Sequence, residues 1–275
     1  MDIPGWHTLK VGTGGEVLLV VDFSAEASRA VAGFDDFVPL LPDRYTVRAP
    51  SRAAWAGDTD SPVEPDAQFA AWLATADDFG PEVVAVLGYC AGCRLAAALA
   101  GRIATSTPPA LIFFDPLPVV PQTLSYEFVK AVTPLAPGLG QDVVDGAAER
   151  ARSQAESATS LDELARWLST SYADLASRGC AELGIETEFA EQLIGRLAEY
   201  LRYLTIAAAT PSTPGPAPAL VLQSREPVPA ALREYADARR LDVPRAELLG
   251  SRDAADLVTQ ALIGRELTAP GPVEP

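Results

Sequence analysis

The segment Val83-Val-Ala-Val-Leu-Gly-Tyr-Cys-Ala-Gly-Cys93 holds the side chains best placed to do chemistry. Gly88-x-Cys90-x-Gly92 has the form of a nucleophile elbow, a strand-to-helix turn in which flanking glycines remove the Cβ clashes that a strained central residue would otherwise cause. A thiol at that turn stands at a helix N-terminus, where unpaired N–H groups and the helix dipole favour an anion. The same helix start sets the N–H of Ala91 beside a reacting carbonyl, as one half of an oxyanion hole.

Other readings of these residues compete. A small cysteine in a Gly-rich turn can serve packing alone. Cys90-Ala-Gly-Cys93 is also a C-x-x-C at a helix start, the context of thioredoxin-like redox pairs, but such a motif does not call for glycine at both 88 and 92. Zinc would need two more ligands, and only Cys180 and His7 remain to supply them. No metal and no cofactor is expected.

The elements that must position Cys90 follow from periodicity. Val83–Leu87 is wholly apolar and β-branched, as a buried strand is, and the Ala/Leu-rich run from Ala91 reads as a helix. Upstream, 6–11 suggests a short edge strand, 16–23 a buried strand, 25–40 a helix, 45–49 a strand, and 66–79 a helix with Phe69, Leu73 and Ala76 on one face. Ala110-Leu-Ile-Phe-Phe-Asp115 is the next strand. This alternation predicts an α/β fold with a mainly parallel sheet and helices on both faces.

From Pro116 to about 211 the alternation stops. Ser160 with Glu163 forms a capping box for a helix with Leu161, Leu164, Leu168, Tyr172 and Leu175 on one face, and a second helix carries Phe189, Leu193, Leu197, Tyr200 and Leu204. Such an insertion reads as a helical lid, so the expected division is a core of 1–115 and 212–275 and a lid of 116–211. After the Pro-rich 211–218 the expectation is strand 219–223, helix 229–240, strand 241–249 and helix 253–262.

The chain of 275 residues is 48% hydrophobic and 21% charged, ordinary for one large globular core. Its net charge of −16 argues against nucleic acid and anionic membranes as partners. The first residues lack a basic region followed by an apolar core, and no stretch has the length of a membrane span, so with three cysteines a reducing cytoplasm is the expected compartment.

The order of elements around Gly-Tyr-Cys-Ala-Gly resembles the thioesterase family of the α/β-hydrolase superfamily, as found in polyketide and non-ribosomal peptide assembly lines, over nearly the whole chain. The resemblance implies the α/β-hydrolase fold with Cys90 as nucleophile in place of the usual serine. It implies Asp115, at the end of the strand after the elbow helix, as the acid, with Glu226 in the other place where such folds keep one. It implies Phe23, in Val21-Asp-Phe-Ser-Ala25, as source of the second oxyanion N–H, although the glycines common in that loop are missing. As partner it implies an acyl or peptidyl carrier protein, or a CoA thioester; Arg44, Arg48 and Arg52, or Arg239-Arg240, are candidate docking cations.

The family's histidine should follow the last strand, and here Leu248-Leu-Gly-Ser-Arg-Asp253 has none. The one histidine of the chain, His7, falls on the expected edge strand. Attack of a thiolate on a thioester expels another thiolate and needs no proton, whereas water must lose one as it attacks. The expectation is therefore an acyl-Cys90 passed to an amine, a carbon or an internal nucleophile, by transfer or cyclisation. An editing thioesterase that hydrolyses carrier-bound thioesters, and a catalytically degenerate binding protein, are the alternatives. Asp115, Asp22 or Glu226 could act as base only if desolvated.

Overall fold

The structure, a computed structural model, describes residues 5–23, 31–51, 64–74, 82–103, 107–211, 219–226 and 238–266. Among them the strands are β1 (Trp6–Lys10), β2 (Glu16–Val21), β3 (Tyr45–Pro50), β4 (Glu82–Tyr89), β5 (Ala110–Phe114), β6 (Leu220–Gln223) and β7 (Arg239–Arg240). The helices are α1 (Phe34–Phe37), α2 (Pro65–Leu73), α3 (Gly92–Ala100), α4 (Pro121–Val132), α5 (Ala136–Leu139), α6 (Gln141–Ser157), α7 (Leu161–Glu182), α8 (Thr187–Ala209) and α9 (Arg252–Glu266). The strands form one sheet in the order β1-β3-β2-β4-β5-β6-β7. Of these pairings, β1–β3 is antiparallel and the others are parallel.

The core sits on the central strands. Leu18, Leu19, Val20, Val86, Leu87, Ile112 and Phe114 are fully buried, which is why β2, β4 and β5 read as continuous apolar runs without alternation. Each such side chain contributes about 1.5–3 kcal/mol by leaving water. Phe114 also meets the rings of Phe34 and Phe37 edge-on, at 5.9 and 5.1 Å between centroids, fixing α1 against the sheet. Because the strands are parallel, the loops after β2, β4, β5 and β6 all leave at one edge of the sheet, where a parallel α/β fold assembles its site.

Two expectations are corrected. The helix over 25–40 is shorter in its described part: α1 begins after Gly33 and gives way to a 3-10 turn over Val38–Leu40, where Pro39 stands. The strand over 241–249 is absent. Pairing in β7 covers Arg239–Arg240 only, Pro244 ends the extended stretch, and Arg245–Gly250 is a 3-10 helix that buries Leu248 and Leu249. Most of the helix placed over 229–240 lies outside the described residues.

Val119–Ala209 belongs to a second compact unit, built from α4–α8. Ser160 caps α7, its side chain accepting the Glu163 N–H at 3.3 Å, and the helix buries Leu164, Leu168, Tyr172 and Leu175. In α8, Leu197 and Leu204 are buried while Phe189 is exposed. α6 buries Val144, Ala147, Ala148, Ala151 and Ala155, a face made mostly of alanine that gives little hydrophobic contrast in the sequence, whereas α4 buries Leu124, Phe128 and Val132 at regular helical spacing.

One glycine of the elbow is required by close approach. A Cβ on Gly88 would lie 2.5 Å from the Cα and 2.7 Å from the N of Cys93. Those are backbone atoms and cannot swing aside. Gly88→Ala is therefore expected to cost about 2–4 kcal/mol of stability or to abolish folding, measured by urea or thermal denaturation.

Candidate active site

Cys90 follows the last residue of β4 with φ 54, and Asp115 follows β5 with φ 42. Among the described residues these are the only non-glycine residues in the left-handed region, and both stand at the C-terminal ends of adjacent central strands. Such a conformation costs of order 1–3 kcal/mol per residue and persists only where its surroundings hold it. At Cys90 the backbone N–H donates to the Phe114 carbonyl at 2.9 Å, while the Cys90 carbonyl accepts from Cys93 at 3.3 Å and Leu117 at 3.4 Å. Among the described residues no acceptor takes the Ala91 N–H, at the start of α3. At Asp115 the N–H donates to the Leu222 carbonyl at 2.9 Å, and Oδ1 accepts from the Ser224 N–H at 2.9 Å. Asp115 Oδ2 is buried and accepts no hydrogen bond among the described residues.

The cation in this site is Arg245, the first residue of the 3-10 helix after β7. Burial works against its charge, but attraction to Cys90, Tyr89 and Asp115, with a hydrogen bond to the Tyr89 hydroxyl, outweighs that and holds it above the ordinary arginine range. Its Cζ stands 5.7 Å from the Tyr89 ring centroid. The guanidinium is thus permanently charged, and attraction between it and Cys90 favours the thiolate. The same burial pushes Tyr89 up to about 12, despite Arg245.

Asp22 ends the arc. It directly follows Val21, the partner of Gly88 in the β2–β4 ladder. Solvent reaches part of it, yet protein surrounds it closely enough for desolvation to raise its carboxyl to about 7, against the hydrogen bond from the Phe23 N–H and the charge of Arg245. Tyr89 and Cys93 feel its charge in turn.

The remaining sequence candidates fall elsewhere. The Phe23 N–H is given to the Asp22 carboxylate, so it enters an oxyanion hole only by leaving that acceptor; Ser24 and Ala25 lie outside the described residues. Glu226 caps the helix that carries Arg245: its Oε2 accepts the Arg245 N–H at 2.8 Å, and the Ser224 hydroxyl helps to hold its carboxyl below the usual range. His7 is exposed on β1, separated from β4 by β3 and β2. Cys93 is buried, donates to the Gly88 carbonyl at 3.1 Å, and is pushed well above the usual thiol range by burial. None of the three cysteines is in a disulfide. Arg44 is paired with Glu16 at 2.8 Å, and Arg240 donates to the carbonyls of Ser224, Arg225 and Glu226, fastening the β6 loop. Arg52 lies outside the described residues.

Sequence reasoning missed Arg245, and a signal existed. The search after the last strand was for a histidine, whereas Asp242-Val-Pro-Arg245 offers a cation at the first residue after the proline that ends that strand. Among the described residues no cluster of metal ligands occurs, and no helix is long and apolar enough to cross a membrane.

No protein-family model and no curated protein matches the sequence. Solved structures do. A four-domain nonribosomal peptide synthetase bound to AMP and glycine matches with TM-score 0.52 and 13% identity, over 97% of this chain and 20% of the synthetase. The Vlm2 thioesterase domain, with genetically encoded 2,3-diaminopropionic acid and a bound dodecadepsipeptide, matches with TM-score 0.51 and 15% identity over 97% and 99%. A meta-cleavage product hydrolase from Pseudomonas fluorescens, in a serine-to-alanine mutant form complexed with acetates, matches with TM-score 0.51 and 16% identity over 94% of both chains. The chain has the α/β-hydrolase fold. It spans a fifth of the synthetase but nearly all of the other two.

The raised Asp22 carboxyl carries a stability consequence. Folding favours the protonated form, so ionisation weakens the fold progressively as pH rises from the unfolded value of 3.8 to about 7, then no further. Asp22→Asn removes that penalty. Its gain over the parent protein is expected to be absent near pH 3.5, to grow to at most about 4 kcal/mol at pH 8, and to be read by denaturant titration across that range.

Proposed function

We propose that this protein processes acyl thioesters in a natural-product biosynthetic pathway, with Cys90 attacking the thioester carbonyl and the acyl group then passing to an amine, a carbon or an internal nucleophile. The observation that carries the reading is the pairing of a strained Cys90, at the start of α3, with a half-buried and permanently charged Arg245 that also attracts Asp115. A triad histidine serves as base first and as cation afterwards. Arg245 can be only the cation. That suits a thiolate, which is already ionised when it attacks and needs no base to activate it. Asp115, tied to β6 through Ser224, adds a charge that attracts the guanidinium. The Ala91 N–H supplies one donor to the tetrahedral oxygen.

The likeness to thioesterase domains supports a carrier-protein thioester, or a CoA thioester, as substrate and carrier protein as partner. Hydrolytic editing is the second reading, and Asp22 favours it: a carboxylate half-ionised at neutral pH could deprotonate water. Time courses of intact mass and product with acyl-pantetheines decide between them. The expected result is an acyl adduct that is absent in Cys90→Ala and outlasts many equivalents of water. Rapid release of free acid would favour editing, and no adduct with any thioester would favour a binding protein.

Cys90→Ser separates this site from a serine triad. A hydroxyl is too weakly acidic for Arg245 to ionise, and no histidine stands by to take its proton. Acylation of the serine variant is expected to fall by ~10² or more, in the same mass assay.

A further inference from the structure

We propose that Asp22, at the C-terminal end of β2, takes the proton of the acceptor that attacks the acyl group on Cys90, so that the work of a triad histidine is divided between Arg245, which holds charge, and Asp22, which moves the proton. The inference rests on Cys90 being acylated, as proposed above.

Elimination among the groups around the elbow leads here. Arg245 keeps its proton, and Tyr89 and Cys93 are each held in the neutral form by burial. Glu226 is spent on the Arg245 N–H, and Asp115 is tied to the Ser224 N–H and drawn to Arg245. His7 lies at the far edge of the sheet. Asp22 combines three properties that none of these has together. It stands one residue beyond the Val21–Gly88 pair, beside the turn that bears Cys90. It is partly open to solvent, so a proton taken from an acceptor can be passed on to water before the next turnover. The Phe23 N–H donates to it, which leaves lone pairs for a second donor. Its carboxyl, raised to about 7, matches the value a general base needs at neutral pH. Arg245 is the charged group that acts on it directly, Tyr89 and Cys93 feel its charge, and Cys90 and Asp115 face the same guanidinium.

The two half-reactions balance. In the first, the Cys90 thiolate forms a bond to the thioester carbon, the bond to the carrier sulfur breaks, and the departing thiolate takes a proton from solvent. In the second, the acceptor nitrogen or oxygen bonds to the carbonyl carbon, its proton goes to Asp22, and the C–Sγ bond breaks, returning the electron pair to Cys90 beside Arg245. Asp22 then loses the proton to solvent.

The test isolates the halves. Cys90 is acetylated with acetyl-pantetheine, excess reagent is removed, and decay of the adduct is followed by intact mass with glycine ethyl ester or with water alone, between pH 5.5 and 8.5. Asp22→Asn is expected to acetylate within about threefold of the parent, to lose ~10² in decay, and to lose the rise in decay rate near pH 7, while Asp22→Glu recovers part of the rate. Decay in Asp22→Asn equal to that of the parent, equal losses in both halves, or a parent adduct that neither amine nor water removes would each overturn the assignment of Asp22 alone. A parent protein that never acetylates would overturn the reading of Cys90 and this one with it.

Discussion

A half-buried guanidinium facing acidic groups is the interaction on which the rest of the site depends. Taking Arg245 out of water is costly, and the cost is met only because Cys90, Tyr89 and Asp115 converge on it from the ends of two adjacent strands. The relation is mutual: attraction to a charge that cannot leave favours the Cys90 thiolate. Asp22 reaches the same cation but is more strongly governed by its own desolvation, so it stays close to half-protonated at neutral pH instead of becoming another fixed anion. One fixed charge and one carboxyl that titrates near neutrality therefore stand near the elbow.

The backbone that holds this arrangement is strained at two points, and the surrounding hydrogen bonds explain why the strain persists. Cys90 is held through Phe114, Cys93 and Leu117, and Asp115 through Leu222 and Ser224. The β4–β5–β6 ladder thus links the cysteine to the carboxylate through main-chain bonds alone. Gly88 lets α3 start directly against β4, which brings Cys93 inward as a packing thiol and leaves Cys90 at the turn. The C-x-x-C spacing reflects this geometry, with one thiol at the turn and the other donating to a carbonyl of the strand below. Arg240 and Glu226 do comparable work on the opposite side, fixing the loop after β6 so that Arg245 enters at a defined position.

Legibility in the sequence followed the physics of each element. The central strands were readable because both faces are buried and the apolar runs are unbroken, and the elbow because a strand, two glycines and an alanine-rich helix admit few other shapes. The position of Asp115 at a strand end was readable for the same reason. The segment after β6 was not: Leu248 and Leu249 have strand-like composition, yet Pro244 interrupts pairing and a 3-10 helix buries them. That misplacement hid Arg245. The role of Glu226 was also hidden, since nothing local distinguishes a carboxylate that caps a backbone N–H from one that orients a side chain. Asp22 was visible as a residue, but its character comes from desolvation by neighbours distant in sequence, which no local pattern encodes.

The central claim is that Arg245 takes over the charge of the absent histidine and keeps Cys90 ionised. The most direct measurement is the pH dependence of alkylation of Cys90 by iodoacetamide, located by peptide mass, in the parent protein and in Arg245→Gln and Arg245→Lys. The account predicts that the ionisation limb of the parent lies below that of an ordinary thiol, moves up by about one pH unit or more in Arg245→Gln, and returns most of the way in Arg245→Lys. A limb that stays where it is when the guanidinium is removed from a folded protein would contradict it.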